Sequence, residues 1–144
     1  MRFWDSSAII PLIVEEAAST QMRDLYQSDS SMLVWWGTLV ECRSGIARRE
    51  RAGKISNATG TKTMGALRDL ADYWTEVEPV EAVRTVALRL LGAHDLCAAD
   101  SMQLAAAVVA RSEPPRVLQF VCLDRRLALA ASKEGLDAVG EGTQ

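Results

Sequence analysis

Short apolar runs alternate along this chain with longer stretches of helical pattern, and that alternation most constrains what it can fold into. Arg2-Phe3-Trp4 reads as a short strand stopping at Asp5, and Met32 to Trp36 as a continuous apolar run of strand length. Thr75 to Val80 is a short strand candidate, and Leu118 to Leu123 a last one ending at Asp124. Between them, helical patterns lie near Pro11 and over Ala17 to Gln27. Others run from Gly37-Thr38 through about Ala52, from Thr59 to Trp74, Glu81 to Leu91, Leu96 to Arg111 and Arg125 to Glu134. Strands alternating with helices of this length indicate an α/β fold with a parallel sheet. A central sheet of about four to five strands flanked by helices is expected. Gly53, Gly92 and Gly135 stand where helices stop. Pro114-Pro115 is read as a break, and the tail after Val139 as frayed.

A chain of 144 residues is expected to form one domain, residues 1–144, able to bury a core without disulfides or a structural metal. Apolar residues make up 49% and charged residues 24%, which excludes a disordered or collagen-like chain. The net charge of −3 excludes a strongly basic nucleic-acid binder but leaves room for a local basic patch. Cys42, Cys97 and Cys122 form no CxxC pair, and the single histidine, His94, removes every mechanism that needs two. The odd cysteine count and the N-terminus MRFWDSSAII, which meets an acid at Asp5, fit a cytoplasmic protein without a secretory signal. No run reaches the length of a membrane span, so no membrane partner is expected.

The acids carry the chemistry. Asp5 and Asp124 each close a strand, and in open parallel sheets ligands bind outside the carboxyl ends of the strands. Glu41 lies one turn into the helix that follows the Met32 strand, on the same edge, and Asp100 lies in the first turns of another helix. Four carboxylates on one edge repel each other unless a cation neutralises them or some stay protonated. Oxygen ligands without His or Cys favour Mg²⁺ or Mn²⁺ over Zn²⁺. Each acid also has a plainer reading. Asp5 and Asp124 suit helix N-caps, and Thr38-Leu-Val-Glu41 fits a capping box. Asp95 is the natural cap for a helix starting at Leu96. Asp100 lies beyond that cap in an alanine-rich helix of buried character, where a carboxylate is costly unless it is paired or coordinates a metal. Arg43 and Arg111 are its candidate partners in the structural reading.

Other features are weaker. His94 reads as a helix-end or surface residue rather than a general base, and Trp35-Trp36 as core rather than a base-stacking platform. Arg43, Arg48, Arg49, Arg51 and Lys54 make the helix after Glu41 locally basic, and Arg125-Arg126 follow Asp124 directly. These are either a solvated face or contacts to the phosphates of RNA.

DSSA after the first strand, TLVEC after the second, HDLCAADSMQLAAA, and FVCLDRRLALAASKEGL together resemble a PIN domain, and more narrowly the VapC toxins of bacterial toxin–antitoxin pairs. The resemblance runs from Met1 to about Leu136. It carries the family's acidic quartet over as Asp5, Glu41, Asp100 and Asp124, with Ser7 as a supporting or substrate-contacting hydroxyl; from the basic stretches, Arg43 and Arg125 are the candidate substrate contacts. It implies a single PIN-like domain and an Mg²⁺- or Mn²⁺-dependent endoribonuclease. The ions would be held by Asp5, Asp100 and Asp124, with Glu41 completing the site. It also implies an RNA substrate, a VapB-type antitoxin and a toxin homodimer. A haloacid-dehalogenase-type phosphatase needs a second aspartate where Ser7 stands, and a receiver domain needs paired acids near the first strand. A PIN ribonuclease of RNA processing without an antitoxin, and a non-catalytic binding module, remain as other readings.

Overall fold

The computed structural model describes residues 1–111 and 117–140. Five strands form one all-parallel sheet in the order β3-β2-β1-β4-β5. They are β1 (Arg2–Trp4), β2 (Met32–Trp35), β3 (Thr75–Val77), β4 (Gln119–Cys122) and β5 (Asp137–Gly140). Seven helices are described: α1 (Ser6–Ile13), α2 (Ser19–Ser28), α3 (Thr38–Arg51), α4 (Asn57–Ala71), α5 (Glu81–Ala93), α6 (Ala98–Ala110) and α7 (Arg125–Lys133). This is the α/β architecture expected, consistent with a PIN-like domain.

The two-residue period of the strands builds two cores, one on each sheet face. Phe3, Leu33, Trp35, Phe120 and Cys122 point to one side, where residues of α5, α6 and α7 cover them. Trp4, Met32, Val34 and Val121 point to the other, under α1, α2, α3 and α4. All four residues of β2 are buried, as a strand covered on both faces requires. The register puts Phe3 beside Phe120, and their rings stack with centroids 5.4 Å apart.

Several sequence expectations shift. Pro11 neither starts nor breaks a helix, since α1 runs through it. Gly92 does not stop α5, which continues to Ala93 and caps at His94. Gly53 and Gly135 do follow helix ends with positive φ of 71° and 86°, a conformation glycine adopts without strain. Of the tail after Val139, expected to fray, residues 141–144 lie outside the described residues, and Gly140 is instead the last residue of β5, which pairs along β4 from Gln119↔Asp137 to Cys122↔Gly140. Four residues with one glycine carry no periodic signal, so that strand owes its order to its neighbour. Pro114-Pro115 lies outside the described residues.

Trp35 belongs to the core, whereas Trp36, one step past the strand, is 53% exposed. Among the described residues no helix is long and apolar enough to cross a membrane.

Candidate active site

The strand order reverses between β1 and β4. The chain steps outward from β1 to β2 and β3, then returns to build β4 and β5 on the other side. At such a switch point the loops leaving neighbouring strands diverge and open a crevice at the carboxyl edge. Asp5 leaves β1 and Asp124 follows β4 at that crevice. A cavity of about 590 Å³ opens there, and Asp5, Glu41, Asp100 and Asp124 all line it. The four acids therefore come from four separate segments to one place.

Asp5 is the most deeply set, at 3% exposure. It is the N-cap of α1, as the capping reading held. Its Oδ2 accepts from the Ser7 backbone N–H at 3.1 Å and the Ser7 hydroxyl at 2.5 Å. Ser7 Oγ in turn accepts from the Leu123 N–H at 3.0 Å, tying the ends of β1 and β4 together. Oδ1 of Asp5 is buried with no hydrogen-bond partner among the described residues. Capping thus occupies one oxygen of this carboxylate and leaves the other. Burial pushes its pKa up to about 6; the Ser7 hydrogen bonds oppose that and the charge of Asp100 adds to it.

Glu41 does not close a capping box. The N-cap of α3 is Gly37, without a side-chain bond. The Glu41 carboxylate accepts instead from Gln103 Nε2 at 2.7 Å and lies 3.5 Å from the Ser6 hydroxyl. The same Gln103 amide donates to Thr38 Oγ1 at 3.0 Å. Burial, and beyond it the charges of Asp5 and Asp100, raise Glu41 to about 7 despite the Gln103 bond.

Asp100 is half-buried in the first turn of α6. Neither arginine considered as its partner pairs with it: Arg43 faces Glu50 at 3.6 Å and Arg111 donates to the Glu134 carbonyl at 2.7 Å. Its pKa is raised by burial and by Asp124, against a hydrogen bond from Cys97 and the charge of Arg126. Asp124 caps α7, with Oδ1 accepting from the Leu127 N–H at 2.8 Å. Asp95 caps nothing. Cys97 holds the N-cap position of α6, and Asp95 is an exposed acid 3.4 Å from Arg126.

Of the basic candidates, neither Arg43 nor Arg125 lines the cavity; Arg48 and Arg49 do. Arg49 is anchored to Glu16 at 2.5 Å and to the Gly45 carbonyl at 2.9 Å. Sequence reasoning missed Gln103, whose signal was its place three residues after Asp100, on the same face of the helix. It also missed Ser6 and Glu16, which border the cavity.

Among the described residues no three Asp, Glu, His or Cys side chains stand close enough together to hold a metal ion as placed. The acids ring the cavity rather than meet at a point, and ligation requires them to draw inward. Their chemistry nevertheless fits a hard divalent cation. The donors are carboxylates, Asp5 keeps a buried oxygen unpartnered, and the acids raise one another's pKa.

No family model matches the sequence, and no curated protein compared with it matches either. Among solved structures, the chain is similar to the crystal structure of FitAcB from Neisseria gonorrhoeae, with a TM-score of 0.67 and 15% identity over 96% of each chain. At that identity the likeness concerns the fold, and it extends over nearly the whole of both chains.

Proposed function

We propose that this protein is a metal-dependent endoribonuclease that hydrolyses RNA phosphodiester bonds and acts as the toxin of a type II toxin–antitoxin pair. The observation that carries the reading is the gathering of Asp5, Glu41, Asp100 and Asp124 around one cavity at the sheet's switch point. Fold likeness to FitAcB along almost the full chain and the resemblance of the four motifs to VapC toxins support it.

Asp5, Asp100 and Asp124 would hold Mg²⁺ or Mn²⁺, with Glu41 completing the set. When bound, the metal supplies an activated water and a positive charge against the leaving oxygen. Ser7 fixes one oxygen of Asp5 and leaves the other without a hydrogen-bond partner among the described residues. Gln103 holds Glu41 toward the cavity and away from its own helix start. The VapB-type antitoxin and the homodimer enter with this reading.

Cleavage of total cellular RNA by the purified protein tests it, with Mg²⁺ or Mn²⁺ and with EDTA. Discrete fragments that need metal and vanish in Asp5→Ala and Asp100→Asn are expected. Protein free of any partner that neither cuts RNA nor binds either metal by calorimetry would instead be a binding module on a PIN-like scaffold. Co-purification with a small DNA-binding protein encoded beside it checks the antitoxin; its absence, with cleavage intact, would mark an RNA-processing nuclease.

A further inference from the structure

The cavity has a second wall. Along α3, Glu41, Ser44, Gly45 and Arg48 fall at helical spacing on one face, and all four line the cavity. That stripe runs from a carboxylate through a hydroxyl to a guanidinium over about 10 Å of helix axis. The cations of this helix are not equivalent. Arg43 is turned to Glu50, and Arg49 is tied to Glu16 and the Gly45 carbonyl. Arg48 is exposed, lines the cavity, and makes no ion pair or side-chain hydrogen bond among the described residues.

We infer that Arg48 is a positioning residue that grips the phosphate flanking the scissile one, so that the RNA strand runs along α3 from Glu41 toward Arg48. This rests on the nuclease reading above. Three features favour a phosphate over other ligands. The guanidinium is free to form the two-pronged contact that phosphate oxygens accept. Ser44, one turn before it, adds a hydroxyl of the kind that contacts backbone oxygens. Beyond that, the wall opposite is acidic, so an anionic strand needs a cation at the cavity's margin to be held beside those acids.

Binding of a fluorescein-labelled oligouridylate, measured in EDTA at several salt concentrations, tests the assignment without relying on cleavage. All proteins carry Asp100→Asn, which removes one repelling carboxylate. Added Arg48→Ala is expected to weaken binding about tenfold and to reduce the slope of log K against log salt by about 0.7, the loss of one single-strand phosphate contact. Arg48→Lys should keep most of the slope. Arg51→Ala, an exposed cation of the same helix outside the cavity, should change neither. If the parent binds and Arg48→Ala binds equally well with the same slope, Arg48 is a solvated arginine and the inference is wrong, with the nuclease reading untouched. If the parent shows no binding at all, the strand is not held by Arg48 and this inference is wrong, while the nuclease reading is decided separately by the cleavage and calorimetry above.

Discussion

Two carboxylate clusters in this molecule have been given opposite surroundings. Glu134, at the end of α7, receives the Arg89 guanidinium at 3.1 and 2.9 Å and stands 2.7 Å from His94 Nε2. The Arg89 hydrogen bonds, then that of His94, pull it down to about 2. Asp5 and Glu41 are surrounded instead by hydroxyls, an amide and other carboxylates, and Asp100, which feels the charge of Arg126 as well as that of Asp124, is still raised by burial. Burial drives Asp5 to about 6 and Glu41 to about 7. The fold evidently places countercharges where a carboxylate serves structure, because the Glu134 pairs join α5 to α7. At the cavity none of these three acids forms an ion pair among the described residues, although arginines stand nearby. A cluster that works against its own ionisation is what the proposed metal would relieve.

The largest effect that could break this contrast is catalytic. Asp5→Asn keeps shape and removes charge, and RNA cleavage should fall by about a thousandfold or more, the several kcal/mol a metal contributes to the transition state. Melting in EDTA should show the same variant folded and at least as stable as the parent. A variant that unfolds while the parent shows no metal affinity would make Asp5 a structural cap only.

The next effect is in pH. Asp5 rises from 3.8 to about 6 on folding, so between those values the folded chain binds more protons than the unfolded one. Stability then falls as pH rises, by about 3 kcal/mol at most for this group. Glu41 extends the decline to about pH 7. Glu134 behaves in the opposite sense: its depressed pKa gives stability above about 4.5 that is lost as pH falls toward 2. Metal-free protein should therefore be most resistant to urea in mildly acid solution, and Mn²⁺ should restore stability at pH 8 far more than at pH 5. A urea midpoint that climbs steadily to neutrality in EDTA would overturn this account.

A smaller effect tests the structural cluster. Glu134→Gln removes the charge that Arg89 and His94 share. Since Arg89 is 53% exposed, a loss of about 1 kcal/mol is expected, the upper range for a solvent-screened pair, with RNA cleavage unchanged. A change in cleavage would mean the two clusters are coupled.

How much of this was legible in the sequence follows from the range of each signal. Strand β2 announced itself because burial on both faces makes it continuously apolar, and β1 and β4 because their short apolar runs lead up to an aspartate. Strand β5, at the sheet's edge with Asp137 exposed, has no such mark. The acids after β1 and β4 could be placed at one edge because parallel topology fixes where strands end. The cation assignment could not be read in the same way. Arg43 and Arg48 are alike in sequence, but they leave α3 on different faces, so that Arg43 meets Glu50 of the same helix while Arg48 reaches the cavity. Gln103 was hidden for a related reason: its partners Thr38 and Glu41 lie more than sixty residues away.

The smallest expected effect concerns the start of α6, where the sequence named the wrong cap. An aspartate at an N-cap is worth about 1 kcal/mol. Asp95 is instead two residues too early, 87% exposed, with Arg126 3.4 Å away and itself 69% exposed. Asp95→Ala should therefore cost no more than about 0.5 kcal/mol. Cys97 occupies the cap and makes no side-chain bond to the helix N–H groups, although it lowers the pKa of Asp100 against the effect of burial. Cys97→Ser supplies an oxygen that can accept from those N–H groups, and should gain about 0.5 to 1 kcal/mol in chemical denaturation. The geometry explains why the weaker cap is tolerated. Cys97 lines the cavity with Asp100, where its thiol favours the charged carboxylate without being a permanent cation. If Asp95→Ala instead costs a full cap and Cys97→Ser gains nothing, α6 starts earlier than described, and the position of Asp100 on the cavity wall must be drawn again.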